Sequence, residues 1–385
     1  MNDRNATLDR AGDIAPAAIP PALERLLADF DARRPAALAR TVSIVENHRA
    51  SFDTLLASLH GRLGHARRVG LTGPPGAGKS TMTTQLAKFY REQGLTVGII
   101  AVDPTSPFTG GALLGDRIRM ESVALDPGVF IRSMATRGSL GGLASATREV
   151  CDVLDAFGCD VILVETVGVG QSELDVARAA DTTLVILVPE SGDSIQTLKA
   201  GLMEIADVFC VNKSDRPGAD RLRNELELML GLRMGGTMKN VPAHHGVDLK
   251  SLGAAERDAA RKALNPARAA RAAAAEHSTE TWTPPVLRAV AAQGEGIVDI
   301  AGALDRHFAY LEASGTLRTR RRARLRERVV EVTEDRIRRR LWRDAGTTDW
   351  VDAQLDALER GTTTPFAVAD ALLARSGDLL TRTHA

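Results

Sequence analysis

Apolar residues recur at helical spacing from Leu23 (Leu23, Leu26, Leu27, Phe30) through Leu38, Val42 and Val45 to Phe52, Leu55, Leu56 and Leu59. This predicts an N-terminal helical region over 21–64. The first twenty residues lack periodicity and hold Pro16 and Pro20, so 1–20 reads as a flexible leader. From Arg68 the pattern becomes short, continuously apolar runs alternating with helical stretches: RRVGLTG, TVGIIAVD, VFIRS, DVILVE, TTLVILVP, DVFCVNK and PPVLRAV. Strands apolar on both faces and separated by helices predict an α/β domain over 65–313 with a mostly parallel central sheet. Residues 233–283 interrupt that alternation and read as an insertion. Beyond residue 314 the spacing is helical again (Leu325, Val329, Val332, Ile337, Leu341), and Thr364-Pro365 has the form of an N-cap and first helical position. The sheet domain is thus flanked by N-terminal and C-terminal helical regions, the latter over 314–385.

Composition adds exclusions. Lys+Arg and Asp+Glu both number 49 in 385 residues, so the balance does not suit a general binder of nucleic acid or anionic membrane. No apolar run approaches the ~18 residues of a membrane span, and Cys151, Cys159 and Cys210 lack CxxC spacing. They read as reduced core residues of a cytoplasmic protein.

The strongest motif is Gly73-Pro74-Pro75-Gly76-Ala77-Gly78-Lys79-Ser80, which fits GxxxxGK[ST] between a strand and a helix that ends near Gly94. Its glycines let backbone N–H groups close on a phosphate, aided by the positive end of the helix that Thr81 continues. Lys79 then bridges the β- and γ-phosphates, and the Ser80 hydroxyl meets Mg²⁺. Asn212-Lys213-Ser214-Asp215 is NKxD at the end of a strand. The Asp215 carboxylate can accept from guanine N1–H and the exocyclic amine, whereas adenine has an acceptor at N1 and no such amine, which selects GTP/GDP. Asn212 is expected to tie this loop to the phosphate loop, and the Lys213 stem to lie over the base. Glu165, ending a strand, is a candidate for Mg²⁺ or its water, with Gly168 sensing the γ-phosphate. Asp116 is the favoured further metal ligand and Asp103 a positioning group. Gln171 and Asp103 are candidates to orient water, and Lys199 is a further catalytic candidate.

Together the segments GLTGPPGAGKST, AVDPTSPFTGGALLGDRIRM, LVETVGVGQSELDVA, PESGDSIQTLKAGL and NKSD resemble the MeaB/MMAA (ArgK) family, the methylmalonyl-CoA-mutase-associated GTPase chaperones. The resemblance spans most of 65–215 and implies a P-loop GTPase domain. It also implies a homodimer, with the C-terminal helices as its arm. It implies that an adenosylcobalamin-dependent acyl-CoA mutase is the partner, whose cofactor loading, protection and reactivation depend on nucleotide state. Adenosylcobalamin would then be held only by the partner. The family's guanine-backing Ser-Ala stands here as Val290-Ala291, followed by Ala292, and a backbone N–H at Ala291 is expected to serve guanine O6. The alternatives are a P-loop kinase of the arginine-transport-kinase type and a metal-delivering GTPase metallochaperone. The latter would need a ligand cluster such as His244-His245.

Overall fold

The computed structural model describes residues 19–103, 120–135, 142–166, 172–189, 201–233, 281–343 and 345–376. Most of the leader (1–18) and of the insertion (234–280) lie outside the described residues, as do Asp116, Gly168, Gln171, Lys199 and His244-His245. The chain divides into two compact units, Met1–Leu317 and Arg318–Ala385.

The first unit is built on seven strands: β1 (Arg67–Thr72), β2 (Val97–Asp103), β3 (Val129–Ala135), β4 (Val161–Thr166), β5 (Thr182–Leu187), β6 (Val208–Val211) and β7 (Val286–Arg288). They lie in the order β3-β2-β4-β1-β5-β6-β7, and every pairing is parallel. Each predicted apolar run is one of these strands. β4, β5 and β6 are buried at every position, as strands covered on both faces must be.

Successive strand residues face opposite ways, so the sheet feeds two main cores. On one face Leu71, Ile99, Leu163 and Ile186 pack with Met82, Leu86 and Tyr90 of the helix Lys79–Glu92 and with Ile300 and Leu304 of the helix Ile297–Ala313. On the other face Ile100, Ile162 and Val164 meet Leu26, Phe30, Val42, Val45 and Leu55. These come from helices α1 (Pro21–Asp31), α2 (Pro35–Glu46) and α3 (Phe52–Leu59). The N-terminal helices therefore complete the sheet's cover together with Val150 and Leu154 of the helix Gly142–Phe157. Continuing the labels, Lys79–Glu92 is α4, Gly142–Phe157 α5, Ser172–Ala179 α6, Ala219–Arg233 α7 and Ile297–Ala313 α8. Leu222, Leu226 and Leu230 of α7 form a smaller core with Val185, Leu187, Phe209 and Val211.

Cys151, Cys159 and Cys210 are all buried thiols. Burial, with Asp160 adding to it, pushes the Cys159 thiol up to about 12, and burial raises Cys210 as well. Both are inert thiols near neutral pH. No helix among the described residues is long and apolar enough to cross a membrane.

The second unit is helical, comprising most of α9 (Thr316–Arg343), then α10 (Ala345–Asp352), α11 (Leu355–Glu359) and α12 (Pro365–Arg375). Thr364 caps α12 as its sequence suggests, accepting from the Ala367 N–H at 3.2 Å.

Candidate functional site

In an open parallel sheet, groups carried beyond the C-terminal strand ends converge where the strand order reverses. Here β1 lies between β4 and β5. The phosphate loop follows β1, Glu165 is the penultimate residue of β4, the NKSD turn follows β6 and Val290-Ala291-Ala292 follows β7.

The loop's first glycine is dictated by space. Gly73 has φ +139°, and a Cβ there would stand 2.0 Å from the Ile186 carbonyl oxygen of β5. Pro75 and Gly76 are exposed and Pro74 partly so, whereas Ala77 is buried. Gly78, at φ +86°, turns the chain into α4. The N-terminus of α4 thus opens onto the loop, with backbone N–H groups aimed where an anion is stabilised. Lys79 is buried, and its ammonium donates to the carbonyls of Gly73 at 2.8 Å and Pro74 at 2.9 Å. The lysine is therefore folded over its own loop. Thr81, next on the helix, is exposed.

Ser80 Oγ donates to Glu165 Oε1 at 2.5 Å. The two candidate metal ligands are thus adjacent although 85 residues separate them in sequence. A hydroxyl and a carboxylate are hard oxygen donors, and a P-loop Mg²⁺ site completes its shell with phosphate and water, so the donor set fits that ion. The described residues hold no cluster of three or more His, Cys, Asp and Glu able to bind a metal. Glu165 is only 2% exposed, and Thr83, absent from the sequence-based site, donates to its second oxygen at 2.9 Å. Its place three residues after Ser80 puts Thr83 on the same helix face, but only the tertiary contact with Glu165 marks it. Asp103 closes β2, and only its backbone is described.

On the base side, Asn212 Nδ2 donates to the Ala77 carbonyl at 2.8 Å, tying the NKSD turn to the phosphate loop as expected. The Ala291 N–H donates to Asn212 Oδ1 at 3.0 Å. That amide, expected at guanine O6, is thus engaged by Asn212. Lys213 has φ 54°, and the turn it shapes is pinned by Ser214 N–H donating to the Ala289 carbonyl at 3.0 Å. Arg288 is a second addition to the sequence-based site. Its guanidinium donates to the Ser214 carbonyl at 3.2 Å and pairs with Asp220 at 2.7 Å. Lys213 and Ser214 are partly buried, and Asp215 and Ala292 are exposed.

The sequence profile of the family described as "Methylmalonyl Co-A mutase-associated GTPase MeaB" matches residues 38–346. The chain belongs to the MeaB family. A relative from Pyrococcus horikoshii, described as a GTPase, is 42% identical over 339 residues, 88% of this chain and 93% of its own. The mitochondrial methylmalonic aciduria type A homolog of Mus musculus is 33% identical over 310 residues, 80% of this chain and 64% of its own. Among solved structures, that of an LAO/AO transport system kinase is similar with TM-score 0.61 and 26% identity, covering 93% of this chain and 99% of that one. This MeaB-family chain is a GTPase with the P-loop GTPase fold.

Proposed function

We propose that this GTPase is a chaperone that gates cofactor loading, protection and reactivation of an adenosylcobalamin-dependent acyl-CoA mutase, most simply methylmalonyl-CoA mutase. The partner follows from the family's own description and from the relationship to the mouse protein. The chemistry rests above all on one hydrogen bond, Asn212 to Ala77, because it joins a phosphate loop to a guanine-reading turn in a single site.

In this reading Gly73, Pro74, Pro75, Gly76, Ala77, Gly78 and Thr81 enclose the phosphates. The Lys79 ammonium leaves its loop carbonyls for the β- and γ-phosphate oxygens. Asp215 reads guanine, Lys213 covers the ring, and the Ala292 amide takes the O6 role, since Ala291 serves Asn212. Val290 positions this turn through its backbone. Ser80 and Glu165, with Asp116, would hold Mg²⁺, which when bound would neutralise negative charge on the nucleotide's phosphates. Water attacks the γ-phosphorus while the bond to the β–γ bridging oxygen breaks, giving GDP and phosphate. Lys79 and the loop amides stabilise the charge that develops. Asp103, Gln171 and Lys199 are the groups assigned to water and the γ-phosphate, with Gly168 sensing the latter. The protein works as a homodimer, and the cobalamin belongs to the mutase.

The test is GTP turnover by the purified chain, alone and with a cobalamin-dependent acyl-CoA mutase, with ATP and Lys79→Ala as controls. The expected result is a slow, GTP-specific rate, absent in Lys79→Ala, that rises about tenfold or more with mutase, as partner-supplied charge accelerates other P-loop hydrolases. Turnover indifferent to mutase would discard the client and keep the GTPase. The kinase description of the solved relative favours one second reading, phosphoryl transfer to a small acceptor. Label from [γ-³²P]GTP appearing on an acceptor other than water would establish it.

A further inference from the structure

Buried carboxylates need partners for both oxygens, since an unmet lone pair in a dry site carries a desolvation penalty. Glu165, next to last in β4, has one oxygen on each of two hydroxyls from the same helix face, Ser80 at 2.5 Å and Thr83 at 2.9 Å. We propose that Thr83 is a positioning residue for the metal end of this site, holding Glu165 Oε2 so that Oε1 stays presented beside Ser80. The inference rests on the reading of Ser80 and Glu165 as Mg²⁺ ligands.

Three observations carry it. Thr83 is fully buried, in a layer where its apolar neighbours on α4, Met82, Leu86 and Ala87, belong to the core. An aliphatic side chain would satisfy packing there, so the hydroxyl needs a task of its own. Its proton faces two acceptors, the Lys79 carbonyl one turn back at 3.0 Å and the carboxylate at 2.9 Å. Back-bonding to the preceding turn is ordinary for a helical threonine, but the ionised acceptor makes the stronger bond. Finally, Ser80 and Thr83 lie three residues apart on α4, so one rigid helix sets both contacts. The carboxylate is thereby held relative to the phosphate loop that begins the same helix. Thr83 touches neither nucleotide nor metal in this scheme; it acts through Glu165.

The effect belongs in Mg²⁺ affinity rather than in nucleotide affinity as such. The experiment uses the full-length protein with a fluorescent GDP analogue, titrating Mg²⁺ and reading the concentration that half-maximally slows nucleotide release. The same variants are measured in EDTA, and thermal unfolding reports folding. Thr83→Val keeps the shape without the hydroxyl, Thr83→Ala removes both, and Thr83→Ser restores the hydroxyl. Loss of an outer-shell partner costs metal affinity roughly 10- to 100-fold, so Thr83→Val and Thr83→Ala are expected to raise the Mg²⁺ midpoint by that factor, with Thr83→Ser within about threefold of wild type. Affinities in EDTA are expected to stay at the wild-type value.

A wild-type Mg²⁺ midpoint in folded Thr83→Val or Thr83→Ala would overturn the proposal and leave the metal pair standing. So would an equal loss of nucleotide affinity with and without Mg²⁺, which marks general damage to the loop. If wild type itself shows no Mg²⁺ response, or Glu165→Gln responds like wild type, the reading of the metal pair fails and this inference falls with it.

Discussion

Asn212 serves both nucleotide loops with one carboxamide, its nitrogen on Ala77 and its oxygen on the Ala291 amide. A Cβ at residue 78 would stand 2.5 Å from that nitrogen, so the phosphate loop's last glycine and the base loop's asparagine fit one another. The turn they support leaves the Asp215 side chain exposed beyond β6, open to the recognition role proposed for it. Asn in its place offers one acceptor and one donor to a base edge that presents two donors. Asp215→Asn is therefore expected to lower GTP affinity by about 100-fold, since a mismatched polar edge leaves groups unpaired. Xanthine carries a carbonyl where guanine carries its amine and suits the amide, so XTP should bind the variant better than GTP. Competition binding with the two nucleotides checks this, and unchanged GTP affinity would remove Asp215 from the base site.

At the scale of elements, the two ends of β1 carry different burdens. Its C-terminal end feeds the phosphate loop, while near its N-terminal end Arg68 is partly buried among carboxylates from α5 and the approach to β5. The guanidinium donates to Asp152 at 2.9 Å and Asp155 at 3.1 Å, and Asp181 accepts from the Arg68 amide at 3.3 Å. Burial alone would lower the guanidinium's pKa, but Asp152, Asp155 and Asp181 outweigh it and hold the charge more firmly than usual. Asp155 also accepts from the amides of Gly64, His65 and Ala66, so it joins α5 to the segment entering β1. Arg68→Met would strand these acids. It is expected to cost roughly 3–5 kcal/mol, read as a lower urea midpoint, with GTP affinity unchanged because the nucleotide loops sit at the other end of the strand.

The seven strands were legible because burial on both faces writes itself as unbroken apolar runs, and the phosphate loop because strand, glycines and helix coincide. The Ser80–Glu165 pairing was legible as chemistry, each residue marking its own strand end or helix start. Arg68 was not, since one charge at the edge of an apolar run looks like a solvated strand end. Thr83 reads as a neutral helix position until the distance to Glu165 is known. The engagement of the Ala291 amide depends on which way Asn212 turns, a tertiary fact. Such pairings depend on strand order, which local patterns do not encode.

For the molecule as a whole, the unit from Arg318 onward presents a different surface from the sheet domain's closed cores. On α9, Leu325 is 50% and Val329 66% exposed; they lie four residues apart on one face, with Val332 following. Exposed apolar positions repeated along a helix mark an association surface more often than a solvated one, which is the role the proposed homodimer requires. Two acids placed there would oppose burial against a second copy without unwinding the helix. A Glu at 325 lies three or four residues from Arg321, Arg322 and Arg328, and a Glu at 329 lies three from Arg326; these opposite-charge pairs, worth a few tenths of a kcal/mol each, offset the repulsion between the two new acids four residues apart. The double variant Leu325→Glu/Val329→Glu is expected to sediment as a monomer at concentrations where wild type is a dimer. Its helical signal and unstimulated GTP turnover should match wild type, since the nucleotide loops all belong to the first unit. A variant that remains dimeric would move the interface off this face of α9, and a monomeric wild type would remove the homodimer itself.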